Sequence, residues 1–423
     1  MNQTVLTFVA KVKPDQVDRL NNILAQIGAN PQTNNLVSFG SLARVHFASF
    51  VLHQPPQPSE YGPYLVFENN FDGVLEGYLP DLYSQAASGL HQIYSCCLDY
   101  SVSSATDRQG MLEYLRAHAV YPNAYHIGNT GRSVERIQQE RDLRIDLETQ
   151  CDGLVQSSQA TSTSGVLGSL QKFVRSDSRW SKLPGVGPRE TFQQKLIAWS
   201  KLILVALLAF VLLPLWLIPA LVWLAVLRCK ESTDSVQSDA ADAANVLQLM
   251  EKENCTAVVQ NHMASITVVK PGWLRRATLW LVLWAVNLLA RASATHGSLS
   301  GIPSIHFAHW SMIDNGRRLL FLSNFDGSWE NYLDDFIDKA AHGLTGVWSN
   351  TVNFPRTYFL IFGGATDGPR FKAIARDSQT VTNAWYSAYQ DLTVQGIDNS
   401  SSIRENLLKA LDPADAAGLV QRL

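Results

Sequence analysis

Residues 319–344 read LLFLSNFDGSWENYLDDFIDKAAHGL, and residues 65–90 read LVFENNFDGVLEGYLPDLYSQAASGL. Each stretch begins as a short apolar run rich in Leu, Val and Phe, the composition of a buried strand. Each then passes through Asn-Phe-Asp-Gly and continues with apolar residues at helical spacing. The same strand-turn-helix unit stands twice in one chain, so the sequence predicts an internal duplication.

Working outward, the same elements are expected around both copies. The first half gives a strand from Thr4 to Val12 and a helix from Pro14, with Val17, Leu20, Ile23, Leu24 and Ile27 on one face and Gly28 at its end. A strand from Leu42 to Leu52 follows, then a loop containing Pro55, Pro56 and Pro58, which cannot join a ladder. The unit itself supplies a strand from Tyr64 to Glu68 and a helix from Gly73 to Tyr94. A fourth strand is expected at Leu98 to Ser103. The second half repeats the order. It has a strand from Ala257 to Val269, a helix from Pro271, and GIPSIHFAHW (301–310) in the place of SLARVHFASF (41–50). A turn at Asp314-Asn315-Gly316 and a last strand at Thr357 to Phe362 complete it. The likeness runs on through Ala105-Thr106-Asp107 with Ala365-Thr366-Asp367, Asn123-Ala124-Tyr125 with Asn383-Ala384-Trp385, and Leu143-Arg144 with Ile403-Arg404. The expected fold class is α+β: two fused ferredoxin-like βαββαβ repeats with helical C-terminal extensions, plus a membrane-inserted segment between them. The expected boundaries are 1–150 and 256–423 for the repeats, 151–200 for a Ser/Thr/Gly-rich linker, 201–228 for the membrane segment and 229–255 for a polar linker.

The membrane segment comes from composition. Charged residues make up only 17% of the 423-residue chain, against about 25% in an ordinary soluble protein. The deficit is concentrated at Leu202 to Leu227, which holds no charge and is long enough for a membrane helix. Pro214 and Pro219 interrupt it, which leaves a kinked span or a re-entrant hairpin open. The basic residues before it, Lys172 to Lys201, and Arg228 and Lys230 after it place both flanks on the cytoplasmic side. The helix at 272–293 carries Trp273, Trp280 and Trp284 between arginines, which suits an interfacial helix as well as a core one. With both repeats expected to share one sheet packing, the reading is a hairpin or monotopic insertion with both halves cytoplasmic. A net charge of -3 and the lack of any nucleic-acid-binding signature exclude RNA or DNA as an expected partner. The five cysteines show no metal-ligand spacing, and the first residues, MNQTVLTFVAKVKPD, lack the apolar core of a signal peptide.

Few residues carry chemistry. Asp72 and Asp326 in the Asn-Phe-Asp-Gly turns are read as caps of the helices that follow them, or else as carboxylates for acid-base work. His46 and His306 stand in mid-strand. Strict alternation puts them on the face that packs against helices, as buried hydrogen-bonded residues or as metal, haem or proton-relay ligands near a pseudo-twofold axis. His309 falls on the opposite face, solvated or at an interface. Arg144 and Arg404 sit at matching places on the last helices, on a solvated face or an anion site.

The double βαββαβ order resembles the α+β barrel superfamily, whose relatives include dye-decolourising peroxidases and chlorite dismutases. Gly364-Ala365-Thr366-Asp367-Gly368 is similar to the GxxDG motif of the peroxidases, in which the aspartate is distal to haem. The proximal histidine that follows that motif in the family has no counterpart here, since the last histidine is His342. Two functions are therefore expected. The first is a membrane-attached module that binds an apolar or lipid-like ligand or a protein partner. The second, which the resemblance implies, is a haem-dependent oxidoreductase with His306 or His46 as ligand and Asp367 as distal carboxylate.

Overall fold

The computed structural model describes residues 2–55, 61–156, 162–182, 192–236, 243–253, 259–293, 298–409 and 411–423. Pro56 and Pro58, the linker around 183–191, Cys255 and Ala257 lie outside the described residues. In the first half, β1 (Gln3–Lys11), α1 (Val17–Ala29), β2 (Val45–His53), β3 (Tyr64–Asp72) and α2 (Leu75–Tyr94) follow the expected order. α3 (Arg108–Ala117), β4 (Ala119–Val120), β5 (Ala124–Ile127), α4 (Val134–Gln156) and α5 (Thr163–Ser176) come next. Two long apolar helices, α6 (Phe192–Val211) and α7 (Leu213–Glu231), precede α8 (Ala243–Glu253). The second half runs through β6 (Gln260–Val268), α9 (Trp273–Ser293), β7 (Ile305–Ile313), β8 (Arg318–Asp326) and α10 (Trp329–Trp348). It ends with β9 (Thr357–Tyr358), β10 (Phe362–Gly363), α11 (Gly368–Ser378), β11 (Ala384–Ser387), α12 (Val394–Leu407) and α13 (Pro413–Val420).

These elements form an α+β fold with antiparallel sheets. The larger sheet has the order β11-β2-β3-β1-β4 and the other β5-β7-β8-β6. The edge strands are exchanged. β5, from the first half, pairs with β7, and β11, from the second half, pairs with β2. The contacts that seat them are reciprocal. Asn123 N donates to Trp310 O, and Asn383 N to Phe50 O. Asn123 Oδ1 accepts from Met312 N, and Asn383 Oδ1 from Leu52 N, both at 2.8 Å. Gly28 marks the passage of β11, because a Cβ there would lie 2.1 Å from Asn383 O.

α1, α2 and α3 cover the outer face of the first sheet, and α9, α10 and α11 that of the second. The inner faces meet each other, with Val51 and Val66 against Ile266, Leu320 and Leu322 at one end, and Phe47 against Phe307 at the other. α4, α5, α12 and α13 build a third core around Leu147, Leu170 and Ile403.

Two expected strands fail, and one of the arrangements left open for the apolar segment drops out. Leu98–Ser103 is not a strand; only Cys97 bridges to Val12, and β4 pairs with β1 instead. Thr357–Phe362 forms the small β9–β10 hairpin outside both sheets. The apolar segment does not turn back on itself. Leu212 is the one residue between α6 and α7, and Leu212 N→Leu208 O and Trp216 N→Leu212 O carry helical bonding through the junction. A reversal needs several residues out of helical conformation, so Pro214 gives a kinked rod and no hairpin. Among the described residues α7 alone is long and apolar enough to cross a membrane, with a shorter apolar stretch at Trp199–Val211.

Candidate functional site

The space between the sheets holds a polar band with Glu68 at its centre. Alternation along β3 aims Val66, Glu68, Asn70 and Asp72 inward, and all four are buried. Glu68 Oε2 accepts from Ser49 Oγ at 3.0 Å and from His262 Nε2 at 2.9 Å. Its Oε1 accepts from Asn70 Nδ2 at 2.9 Å and Asn324 Nδ2 at 3.0 Å. His309 Nδ1 stands 3.8 Å away, and its Nε2 meets Thr7 Oγ1 at 3.0 Å. Burial pushes the Glu68 carboxyl up, but the His262 hydrogen bond, the imidazoles and Asn70 outweigh it and hold it at about 2. Burial lowers His309 to about 4 against the pull of Glu68. His53, at the end of β2, is lowered to about 4 by burial and by Arg318.

Two further carboxylate–imidazole pairs flank this band, one from each half. His46 Nε2 donates to Asp72 Oδ1 at 3.1 Å, and His306 Nε2 to Asp326 Oδ1 at 2.7 Å. Each aspartate then caps a helix, though not the one that follows it in sequence. Asp72 Oδ2 accepts from Val134 N at 2.9 Å at the start of α4, and Asp326 Oδ2 from Val394 N at 2.8 Å at the start of α12. The expected caps of α2 and α10 are absent: α2 has no side-chain cap, and Ser328 caps α10.

Both histidines are buried, but on the inter-sheet face and not on the helix face. The ladders slip between Val45 and Phe47 and between Ile305 and Phe307. A bulge puts two successive side chains on one side, so His46 and Phe47 share a face. Phe47 and Phe307 meet edge to face, their ring centres 5.7 Å apart, between the imidazoles, and Tyr389 OH pairs with His46 Nδ1 at 2.9 Å.

The residues do not fit a haem. His46 has both ring nitrogens engaged, and His306, 1% exposed, gives Nε2 to Asp326 and lies 5.1 Å from the Phe47 ring. Asp367 pairs with Arg370 on the surface before α11, far from a buried distal position. Its counterpart Asp107 caps α3 through Gly110 N. Arg404 is committed to an internal carboxylate: with Arg136 it neutralises the buried Glu140 of α4, to which Ser401 Oγ also donates. Among the described residues no group of three or more His, Cys, Asp or Glu could hold a metal. An apolar cavity of about 20 Å³ lies between the second sheet and α10–α11, beside Met263, Phe321, Trp348 and Phe371. That is room for about one water and not for a lipid chain.

Sequence reasoning missed Glu68, His262 and the role of His309. The signal was a glutamate at an inward position of a strand whose other inward residues are Val66, Asn70 and Asp72. No family model matches the chain, and no curated protein matches it.

The outer surface of the second half has a different character. Ile203, Phe210, Leu215, Ile218 and Val222 on α6–α7, Trp280 and Trp284 on α9, and Phe359 and Phe362 at the β9–β10 hairpin are all exposed, Leu215 by 74%. These segments touch. Trp223 Nε1 donates to Thr278 Oγ1 at 3.0 Å, and Arg228 lies 4.8 Å over the Tyr358 ring. The buried Glu231 at the end of α7 holds the hairpin by accepting from Thr357 Oγ1, Phe359 N and Leu360 N.

Proposed function

We propose that this protein is a monotopic membrane-surface module, built by internal duplication of a ferredoxin-like unit, whose partner is the lipid of the bilayer and whose polar interior is structural. The observation that carries the reading is the continuous exposed apolar surface of α6–α7, α9 and the β9–β10 hairpin. Soluble proteins rarely leave so large an apolar patch in water. The rod of α6 and α7 lies in the interface on this reading, with tryptophans at headgroup level. The exchanged strands favour it too, since a single crossing between the halves would draw β5 and β11 away from the sheets they complete. The reciprocal Asn123/Asn383, His46/His306 and Asp72/Asp326 contacts support the duplication. Both halves then lie on the cytoplasmic side, where the basic flanks of the rod belong.

Vesicle flotation of the full chain tests the reading. The wild type is expected to float with phosphatidylcholine vesicles. The variant Leu215→Ser/Ile218→Ser/Val222→Ser, which alters exposed side chains only, is expected to stay at the bottom while keeping its circular dichroism spectrum. Equal flotation of both proteins would overturn the assignment of this surface.

A further inference from the structure

A second buried charge cluster lies where α7 ends against the start of α9. Lys270 Nζ donates to Asp234 Oδ2 and to Ser349 O, both at 2.7 Å. Arg275 Nη2 donates to the same Oδ2 at 2.6 Å. Two buried cations thus share one carboxylate oxygen, and Arg275 is only 1% exposed. Its Nη1 is buried with no partner among the described residues. An unpaired buried donor on a charged group is costly.

The local helix chemistry is also inverted. Arg275 and Arg276 stand in the first turn of α9, which has no acidic residue there. The positive end of a helix dipole disfavours cations and attracts anions. One more anion, with several oxygens, would satisfy the free guanidinium N–H and the helix end together. A phosphate group does this, since its oxygens match the two-pronged donor geometry of arginine. The mouth of the cluster is marked by Trp273, 66% exposed, whose ring meets Trp223 of α7 at 5.3 Å.

We propose that Lys270, Arg275 and the first turn of α9 form a site for the phosphate of an anionic phospholipid headgroup, covered by Asp234 in the free protein. The proposal rests on the membrane-surface reading above, because Trp273 and the exposed face of α9 put the cluster at headgroup depth. The Asp234 side chain, 20% exposed on the segment that leaves α7, is the group that the phosphate displaces. An ordinary structural salt bridge and a covered anion site differ in sign. Removing the carboxylate weakens the first and opens the second.

The test is flotation of the full chain with vesicles of phosphatidylcholine alone or mixed with phosphatidylglycerol. Asp234→Asn is compared with Asp18→Asn, which makes the same charge change at an exposed place on α1. Asp234→Asn is expected to raise partition onto phosphatidylglycerol vesicles at least about tenfold beyond the control, the lower end of the scale of one charge-assisted hydrogen bond. The gain is expected to vanish in Asp234→Asn/Arg275→Gln, which keeps the local charge count of the wild type. A partition no better than the control, or worse, overturns the site while leaving flotation on phosphatidylcholine, and so the membrane reading, intact. No flotation on either vesicle overturns both. Stabilisation by inorganic phosphate over chloride at equal ionic strength, without preference for phosphatidylglycerol, assigns the site to soluble phosphate and overturns the lipid assignment.

Discussion

Glu68 is an ionised carboxylate with four hydrogen-bond donors and no exposed surface, and its neighbours fix how the protein answers to acid. His309 and His53 are held at about 4, below the value of about 6.5 in an unfolded chain. Between those values the unfolded state binds protons that the fold excludes, so stability falls as pH drops from about 6.5 toward 4. A depression of this size is worth about 3 kcal/mol per histidine. Glu68, held at about 2, adds stability that is present above its unfolded value of about 4.3 and is lost as pH falls through 2. Urea denaturation across pH 7.5 to 4 is expected to show the first loss, and His309→Asn to flatten part of it; a midpoint that does not move with pH would refute the burial of these rings. The aspartates give a second expectation at this scale. Asp72→Ala removes the cap on Val134 N and leaves His46 Nε2 without its acceptor, which should cost about 2–4 kcal/mol. Asp107→Ala, which loses a cap alone, should cost about 1 kcal/mol. Equal urea midpoints for the two variants would show that the buried pair carries no extra stability.

At the scale of elements, the exchange of β5 and β11 separates what could be read in the sequence from what could not. The strands and helices from Gln3 to Tyr94 and from Gln260 to Trp348 were legible because their apolar periodicity is local. The exchange was not, because Asn123-Ala124-Tyr125 and Asn383-Ala384-Trp385 look alike and nothing local says which sheet each joins. The side of His46 was hidden for a similar reason: the bulge beside it depends on pairing with β3, not on its own strand. The capped helices were hidden because Asp72 and Val134 are 62 residues apart. Gly28 was read as a helix end, yet α1 runs to Ala29, and the glycine is needed for the backbone of β11. Gly28→Ala in a helix normally gains about 0.5–1 kcal/mol; here a net loss of stability is expected, measured by thermal melting, and a gain would remove β11 from that contact. Residues 1–156 alone lack β11 and leave β5 without a sheet. By light scattering after size exclusion they are expected to appear as a dimer or aggregate, as unpaired edges demand; a stable monomer would show that the halves fold separately.

At the scale of the whole molecule, the membrane-surface reading raises the question of which way a chain with a helical rod, uncharged over Leu202 to Leu227, between its halves can sit on a bilayer. A helix as long and apolar as α7 can cross, and composition alone does not decide against it. The connections do. β5 lies beyond the rod from the sheet it completes, and β11 likewise, so pulling the halves to opposite sides would break both edge pairings and divide the polar band around Glu68, Asn324, His262 and His309. Each of those groups would lose a buried partner, at about 1–3 kcal/mol apiece. Laying the rod in the interface breaks none of them, and α9 already packs beside it. Cysteines introduced at Asp18 and Gln395, both exposed and one in each half, should therefore react with an impermeant maleimide from the same side of sealed inverted vesicles and be protected together in right-side-out ones. Labelling of the two positions from opposite sides would require the sheets to come apart in the membrane, and would refute the interlocked body along with the monotopic placement.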